Sequence, residues 1–266
     1  MSKQVREGAN AEKKFVVEMN KNKNDPRWKI LGLKDSINYY AIRVSTQKFS
    51  KIHNKKVPCK SDVFFAKSKK TIDKFELTED DLKRYELEQV KFTGVSIKKD
   101  DVKNIQWQKI GIKGVKELFG NGELGAGISI YEKKGVNHKS LHESMETNQM
   151  IIKKWCNSII QFEKFFEDVT DIVKLFDIKE KDKVRQEIAK KIGKIADAKI
   201  KNMIDTDEKL QKKIFWGIGV FEDPFCASWV FNQGKLQKTE KYYPKYSITT
   251  GSNRTKNYTI AIKGSK

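Results

Sequence analysis

Three short runs between residues 37 and 99 constrain the fold more than anything else in the chain. They are INYYAIRVS at 37–45, PCKSDVFFA at 58–66 and GVSIKK at 94–99. Each is short, rich in β-branched and aromatic residues and bounded by polar or turn-forming residues, the pattern of a strand. Two of them set a charge where a core strand should be apolar: Asp62 at the mouth of Val63–Ala66, and Lys98 after Val95–Ile97. A buried charge costs several kcal/mol unless it is paired, hydrated or bound to an ion. Either these are strand ends facing water, or the two charges meet. Alternation puts Asp62 with Phe64, and Ser96 with Lys98, each on one face of its strand. If the two strands are neighbours, Asp62 and Lys98 share a sheet edge.

Charge narrows the partner. The chain has 266 residues, enough for one large domain or two small ones, with 55 Lys and Arg against 35 Asp and Glu, a balance of +20. At 38% hydrophobic it can build a core, so this is no disordered basic tail. A folded chain with such a surplus suits a polyanion, whose counterions are released when lysines replace them. A Lys-rich proteome would explain the lysines, but not why the acids fail to keep up. Cys59, Cys156 and Cys226 are dispersed with no CxxC, which argues against a disulfide framework or a zinc site and fits a reducing, cytoplasmic setting. The polar start MSKQVREGANAEKK is not a signal peptide, and no apolar run reaches membrane-spanning length.

Along the chain, strands and helices mix. Residues 8–22 predict a helix with Ala11, Phe15, Val16 and Met19 on one stripe, broken at DPRW. TEDDLKRYELE at 78–88 predicts a short helix capped by Thr78. NIQWQKIGIKGVKELFG has apolar residues at roughly helical spacing, and GNGELGAGISIYEKKGVN at 120–137 is rich enough in glycine to predict a loop, without the GK[ST] of a phosphate-binding loop. Residues 140–210 are helical in pattern, with Ser140 and Glu143 as a capping box and a second helix near 180–202. The tail predicts strands at IFWGIGVF, ASWVF, YSITT and YTIAIK, the last two joined by the turn-like GSNRTKN. His138 and His142 are four apart, but no third ligand completes a metal set.

An Asp and a Lys converging at strand ends can hold a divalent cation and an activated water. The carboxylate is a hard oxygen ligand suited to Mg²⁺, and the lysine can orient or deprotonate a water or neutralise phosphate charge. In GANAEKKF, KSDVFF and GVSIKK, taken in order, the chain resembles the PD-(D/E)XK nuclease superfamily, and within it the type II restriction endonucleases. The resemblance implies a mixed α/β (α+β) fold, with a central mixed β-sheet flanked by helices and a helical insertion. Its domain reading is one restriction-endonuclease-like domain over 1–266, with 140–210 as a helical subdomain inserted within it. It further implies Mg²⁺-dependent hydrolysis of double-stranded DNA, with Asp62 and Lys98 in the family's Asp and Lys roles. Metal ligands would be Asp62, a second carboxylate and the Ile97 carbonyl. Where the family places an acid two residues before the lysine, this chain has Ser96, which cannot act as a charged ligand. Glu12, Glu86, Glu88 and Glu117 are candidate replacements, and Glu12 matches the family's helix position. An alternative register reads Gln89-Val90-Lys91 in place of Ser96-Ile97-Lys98.

Base readout points to other segments. NIQWQKI resembles a Gln-bearing helix of these enzymes, offering Gln106 and Gln108 to a groove. The segment Gly234–Lys266 carries eight Lys or Arg against one acid, interleaved with Tyr242, Tyr243, Tyr246 and Tyr258. Its turn offers Ser252, Asn253, Arg254 and Lys256, residue types that pair with base edges or phosphates. A palindromic site cut on both strands implies a two-fold homodimer, or monomers acting in turn. Ser96 keeps a second reading open: a non-catalytic basic DNA- or RNA-binding protein on the same fold.

Overall fold

The structure, a computed structural model, describes residues 3–34, 36–44, 59–98, 104–131, 138–177, 181–242, 246–250 and 259–265. The chain forms two compact units. The first comprises Met1–Lys103 and Lys212–Pro244; the second, Asn104–Gln211 and Lys245–Lys266, interrupts it. The fold is mixed α/β, with a mixed central sheet flanked by helices.

In the first unit, helix α1 (Lys3–Lys21) leads into α2 (Pro26–Ile30), then β1 (Tyr39–Arg43), β2 (Val63–Lys67), the short α3 (Asp81–Arg84), β3 (Glu88–Gln89) and β4 (Val95–Ile97). After Gln211 the chain returns to this unit with a π-helical turn at Lys212–Trp216, β6 (Trp229–Asn232) and β7 (Lys235–Lys238). The sheet runs β1-β2-β4-β6-β7, with β3 beside β2. All pairs are antiparallel except β4 with β6, which is parallel and therefore needs a crossover. Asn104–Gln211 of the second unit lies within the chain that makes that crossover. Sequence alone suggested a helical insertion at 140–210; the interrupting unit begins at Asn104 and claims the C-terminal hairpin as well.

Both faces of this sheet are buried. On one, Phe15, Val16 and Met19 of α1 pack with Val63, Phe65 and Val95; on the other, Ile42, Phe64, Leu77 and Phe225 cluster. Asn20 fixes how α1 meets the sheet. Its side chain takes the Ala41 N–H at 2.7 Å and donates to the Ala41 and Phe75 carbonyls at 3.0 and 2.9 Å. It thus satisfies the outer edge of β1, where unpaired backbone groups would otherwise be buried. DPRW ends α1 but starts another helix: Asp25 caps it through the Arg27 N–H at 2.9 Å, with Pro26 in the first turn. The expected helix at 78–88 shrinks to α3. Its start is fixed by Asp81, whose carboxylate accepts the Thr78 N–H at 2.9 Å and pairs with Lys74 at 2.8 Å.

In the second unit, β5 (Asn104–Gly111) pairs with β9 (Thr259–Ser265), which pairs with β8 (Tyr246–Thr250), all antiparallel. The β8–β9 pair is the expected hairpin. Helices α4 (Ile112–Phe119), α5 (Glu123–Ile130), α6 (His138–Asn157), α7 (Thr170–Lys174), α8 (Lys183–Thr206) and α9 (Glu208–Gln211) complete the unit. Three expectations are corrected here and at its border. NIQWQKIG is a strand, not a helix; a register shift between Gln106 and Gln108 disguises its alternation, and Gly111 joins it to α4. The glycine-rich 123–130 is a helix, not a loop. It is buried on all sides, so it shows no amphipathic signal, and a Cβ on Gly127 would overlap Ala196 and the Trp155 indole. In IFWGIGVF, Ile214–Trp216 belong to the π-helical turn rather than to a strand, and Gly217 at φ 81° follows it. Among the described residues no helix is long and apolar enough to cross a membrane.

Gly94 sets the geometry around β4. A Cβ there would overlap the carbonyl oxygens of Pro224 and Cys226, so the 224–226 loop can lie against the strand only over a glycine. Gly94→Ala is expected to destabilise by about 2 kcal/mol and lower Tm by about 5 °C in calorimetry. An unchanged Tm would mean the loop does not rest on Gly94.

Candidate active site

The sheet brings Asp62 and Lys98 together. Asp62 precedes β2, and its backbone is tied to both neighbours: its N–H donates to Val95 at 2.8 Å and its carbonyl accepts from Val44 at 2.9 Å. The pairing Val63↔Val95 then aligns Asp62 with Ser96 and Ile97. Asp62 Oδ2 accepts the Ile97 N–H at 2.7 Å and the Ser96 hydroxyl at 3.2 Å. Lys98 Nζ donates to the same Ser96 Oγ at 2.7 Å. Ser96 is buried and bridges the two charges: its hydroxyl accepts from the ammonium and donates to the carboxylate. A glutamate or aspartate at this position would set a second negative charge against Asp62.

Glu12 completes the group from α1. It sits three, four and seven residues before Phe15, Val16 and Met19, on the helix face that packs on the sheet. Burial, and then the charge on Asp62, raise its pKa to about 7 against the opposing charge of Arg43. Burial likewise raises Asp62, against the Lys98 charge and the hydrogen bonds from Ile97 and Ser96. It lowers Lys98, against the attraction of Asp62. Two carboxylates that each suffer from desolvation, close enough to repel, form a place where a cation would be stabilised.

The other sequence candidates fall elsewhere. Lys91 is exposed in the turn after β3, which pairs with β2 at Ala66 and Lys67, the opposite end from Asp62. Glu86 and Glu88 are exposed, and Glu117 belongs to the second unit. Gln106 and Gln108 lie on β5 opposite Lys263 and Ile262 rather than on a helix. Ser252, Asn253, Arg254 and Lys256 lie outside the described residues. Tyr246 donates its hydroxyl to Asp205 at 2.7 Å.

Two cations escaped the sequence reading. Lys60 donates to the Ile214 carbonyl at 2.5 Å; burial, then repulsion from Lys98, pushes its pKa down to about 7. Its signal was its spacing, two residues before Asp62 along an extended segment. Arg43, directly across from Val63, pairs with Glu76 at 3.6 Å, and its buried Nε has no hydrogen-bond partner. Nothing in INYYAIRVS marks that arginine.

Among the described residues no three His, Cys, Asp or Glu side chains converge as a metal site. The carboxylates that a cation could use here are Asp62 and Glu12, and the Ile97 carbonyl is the third oxygen that the resemblance implies. That all-oxygen, partly protein set fits Mg²⁺, which keeps several waters and uses one or two carboxylates. No protein-family model matches the chain, and no curated protein matches its sequence.

Glu12 yields a pH test. Its folded pKa of about 7 lies above the ordinary 4.5. As pH rises between those values the unfolded state ionises first, so folded stability falls across the window and levels above it. Glu12→Gln is expected to match the wild type near pH 4 in EDTA and to be more stable by about 1–2 kcal/mol at pH 8, discounted for partial exposure. Urea unfolding at both pH values measures this. A variant less stable at pH 8 would show that Glu12 ionises without penalty.

Proposed function

We propose that the chain is a Mg²⁺-dependent double-stranded DNA endonuclease, a phosphodiester hydrolase of the type II restriction class. One observation supports this most: the Asp62–Ser96–Lys98 hydrogen-bond chain at adjoining strand ends, with Glu12 close enough to feel the charge on Asp62. The first unit holds 30 Lys and Arg against 18 acids and the second 25 against 17, so either can bind phosphates.

Mg²⁺ held by Asp62, Glu12 and the Ile97 carbonyl would supply Lewis-acid charge at the scissile phosphate and acidify a water. Lys98 orients the attacking water and offsets charge on the phosphate. Ser96 fixes the ammonium relative to Asp62, and the Ile97 N–H fixes the carboxylate. No covalent enzyme intermediate is required; the buried thiols of Cys156 and Cys226 are pushed up to about 12 and about 11 by burial, unsuited to nucleophilic attack.

Ser96 favours a second reading, a basic DNA- or RNA-binding protein without catalysis, because it leaves the site with two carboxylates. Incubation with unmethylated phage DNA in Mg²⁺ and in EDTA separates the two. Discrete, Mg²⁺-dependent fragments are expected from wild type, with a loss of at least 100-fold in Lys98→Ala and Asp62→Ala. Intact DNA from several genomes beside a salt-sensitive gel shift would establish the binding protein instead. Ser96→Ala should retain Mg²⁺-induced thermal stabilisation yet cleave about tenfold more slowly, since it loses the bridge and not a ligand. Loss of the Mg²⁺ stabilisation in Ser96→Ala would make Ser96 a metal ligand instead of a bridge.

A further inference from the structure

Arg43 makes fewer bonds than a mostly buried arginine needs. Arg27, in the same unit, sets the comparison. It holds Asp25 through Nε and Nη2 at 2.8 and 2.7 Å and lies over the rings of Phe15 and Phe231. Arg43 has neither a bidentate acid nor a ring among the described residues. Its Nε is buried without a hydrogen-bond partner. Its Nη2 stands 3.6 Å from Glu76, longer than the roughly 2.7–2.9 Å of a charge-assisted hydrogen bond. Glu76 makes its short contact with Lys13 instead, at 2.7 Å. The two arginine side chains are 14% and 23% exposed, so water does not account for the difference. A buried donor left unpaired is costly and calls for an explanation beyond packing.

The position of Arg43 indicates the missing partner. Arg43 ends β1, Asp62 immediately precedes β2 and Lys98 immediately follows β4. The β1–β2 and β2–β4 pairs are antiparallel, so all three residues lie at the same end of the sheet. Arg43 is directly across from Val63, and the N–H of the next residue, Val44, donates to the Asp62 carbonyl at 2.9 Å. The strand order β1-β2-β4 puts Arg43 and Lys98 on opposite sides of Asp62, each about one strand spacing, roughly 4.8 Å, from it. Cross-strand partners share a face, and Val63 packs on α1, so Arg43 leaves the sheet toward the helix that carries Glu12. We propose that Arg43 binds the DNA phosphate next to the scissile one, on the side of Asp62 away from Lys98. A guanidinium is a planar fork of donors that fits phosphate oxygens in pairs, and a phosphate would supply the bidentate partner that Glu76 does not. A DNA strand crossing this end of the sheet meets Lys98, the carboxylates and Arg43 in turn. The inference rests on the nuclease reading for where the phosphodiester lies. It concerns binding, not hydrolysis, and can fail separately.

The test is the salt dependence of binding to a short random-sequence DNA duplex in EDTA, followed by fluorescence anisotropy. Arg43→Gln should bind about tenfold more weakly. The slope of log affinity against log salt should become shallower by about 0.9, the signature of one lost phosphate contact. Arg43→Lys keeps the charge, so it should restore the slope and recover the affinity only in part, because the fork is gone. Tm should stay at the wild-type value in both variants. Wild-type affinity and slope in Arg43→Gln would overturn the contact. So would a lower Tm in Arg43→Gln with the slope unmoved, which would make Arg43 a structural partner of Glu12 and Glu76. If Arg43→Gln does not fold, Arg43→Lys decides: weaker binding at the wild-type Tm supports the contact, and wild-type affinity overturns it. Failure of the wild type to bind the duplex would overturn it as well. Cleavage in Mg²⁺ with no Arg43-dependent slope would sink the contact and spare the nuclease. An Arg43-dependent slope without cleavage would keep the phosphate contact and sink the nuclease.

Discussion

The first unit is organised around one carboxylate that cannot easily be where it is. Asp62 is tied by its backbone to β1 on one side and β4 on the other, and its side chain takes a main-chain N–H from Ile97 at 2.7 Å. Charge-assisted hydrogen bonds of this length are among the stronger polar interactions in proteins, and they set register as well as energy. Once Asp62 is fixed, Ser96 and Lys98 follow from alternation along β4, and Val63 and Val95 face α1. The carboxylate is therefore a piece of sheet architecture as much as a chemical group. A site built this way is pre-organised by strands rather than by loops.

Glu12 reaches the same point by a different route. Its height along α1 is fixed by Asn20, two turns on, which grips the edge of β1 through both Ala41 backbone groups. The helix cannot slide without breaking those bonds, so the separation of Glu12 from Asp62 is set by a residue far from either. Arg43, at the end of the same β1, moderates the charge that results. Burial raises both carboxylates and lowers both lysines, Lys60 and Lys98. The cluster thus resists full ionisation by itself, a state that a divalent cation would reverse.

The strands around Asp62 and Lys98 were legible because their alternation is regular and their charges interrupt it. So was the β8–β9 hairpin, whose two runs flank a turn-like segment. What the sequence obscured has physical causes. The buried helix at 123–130 has no polar face, so periodicity had nothing to report, and its glycines signal close helix contact rather than a loop. The strand at 104–111 hides its period behind a register shift. The parallel β4–β6 pair joins residues more than 130 apart, a distance over which local pattern is silent. Arg43 and Asn20 act through tertiary contacts alone, and nothing in their neighbours' identities announces them.

Ser96 shows how a departure from an expected motif can be read physically. With an acid in that place, the strand end would hold two adjacent negative charges beside a lysine, and Glu12 would add a third from the helix. With serine, the strand contributes one carboxylate and a neutral hydroxyl that can face both ways, accepting from Lys98 and donating to Asp62. The second negative charge then comes from the helix, through a group whose pKa lies near 7. Such a site is less charged before a cation arrives and so less costly to bury. Any cation bound there would depend on the ionisation of Glu12, through the helix position that Asn20 secures. With serine on the strand, the second carboxylate near Asp62 is one supplied by the helix, and its alignment rests on the packing of α1 on the sheet rather than on local alternation.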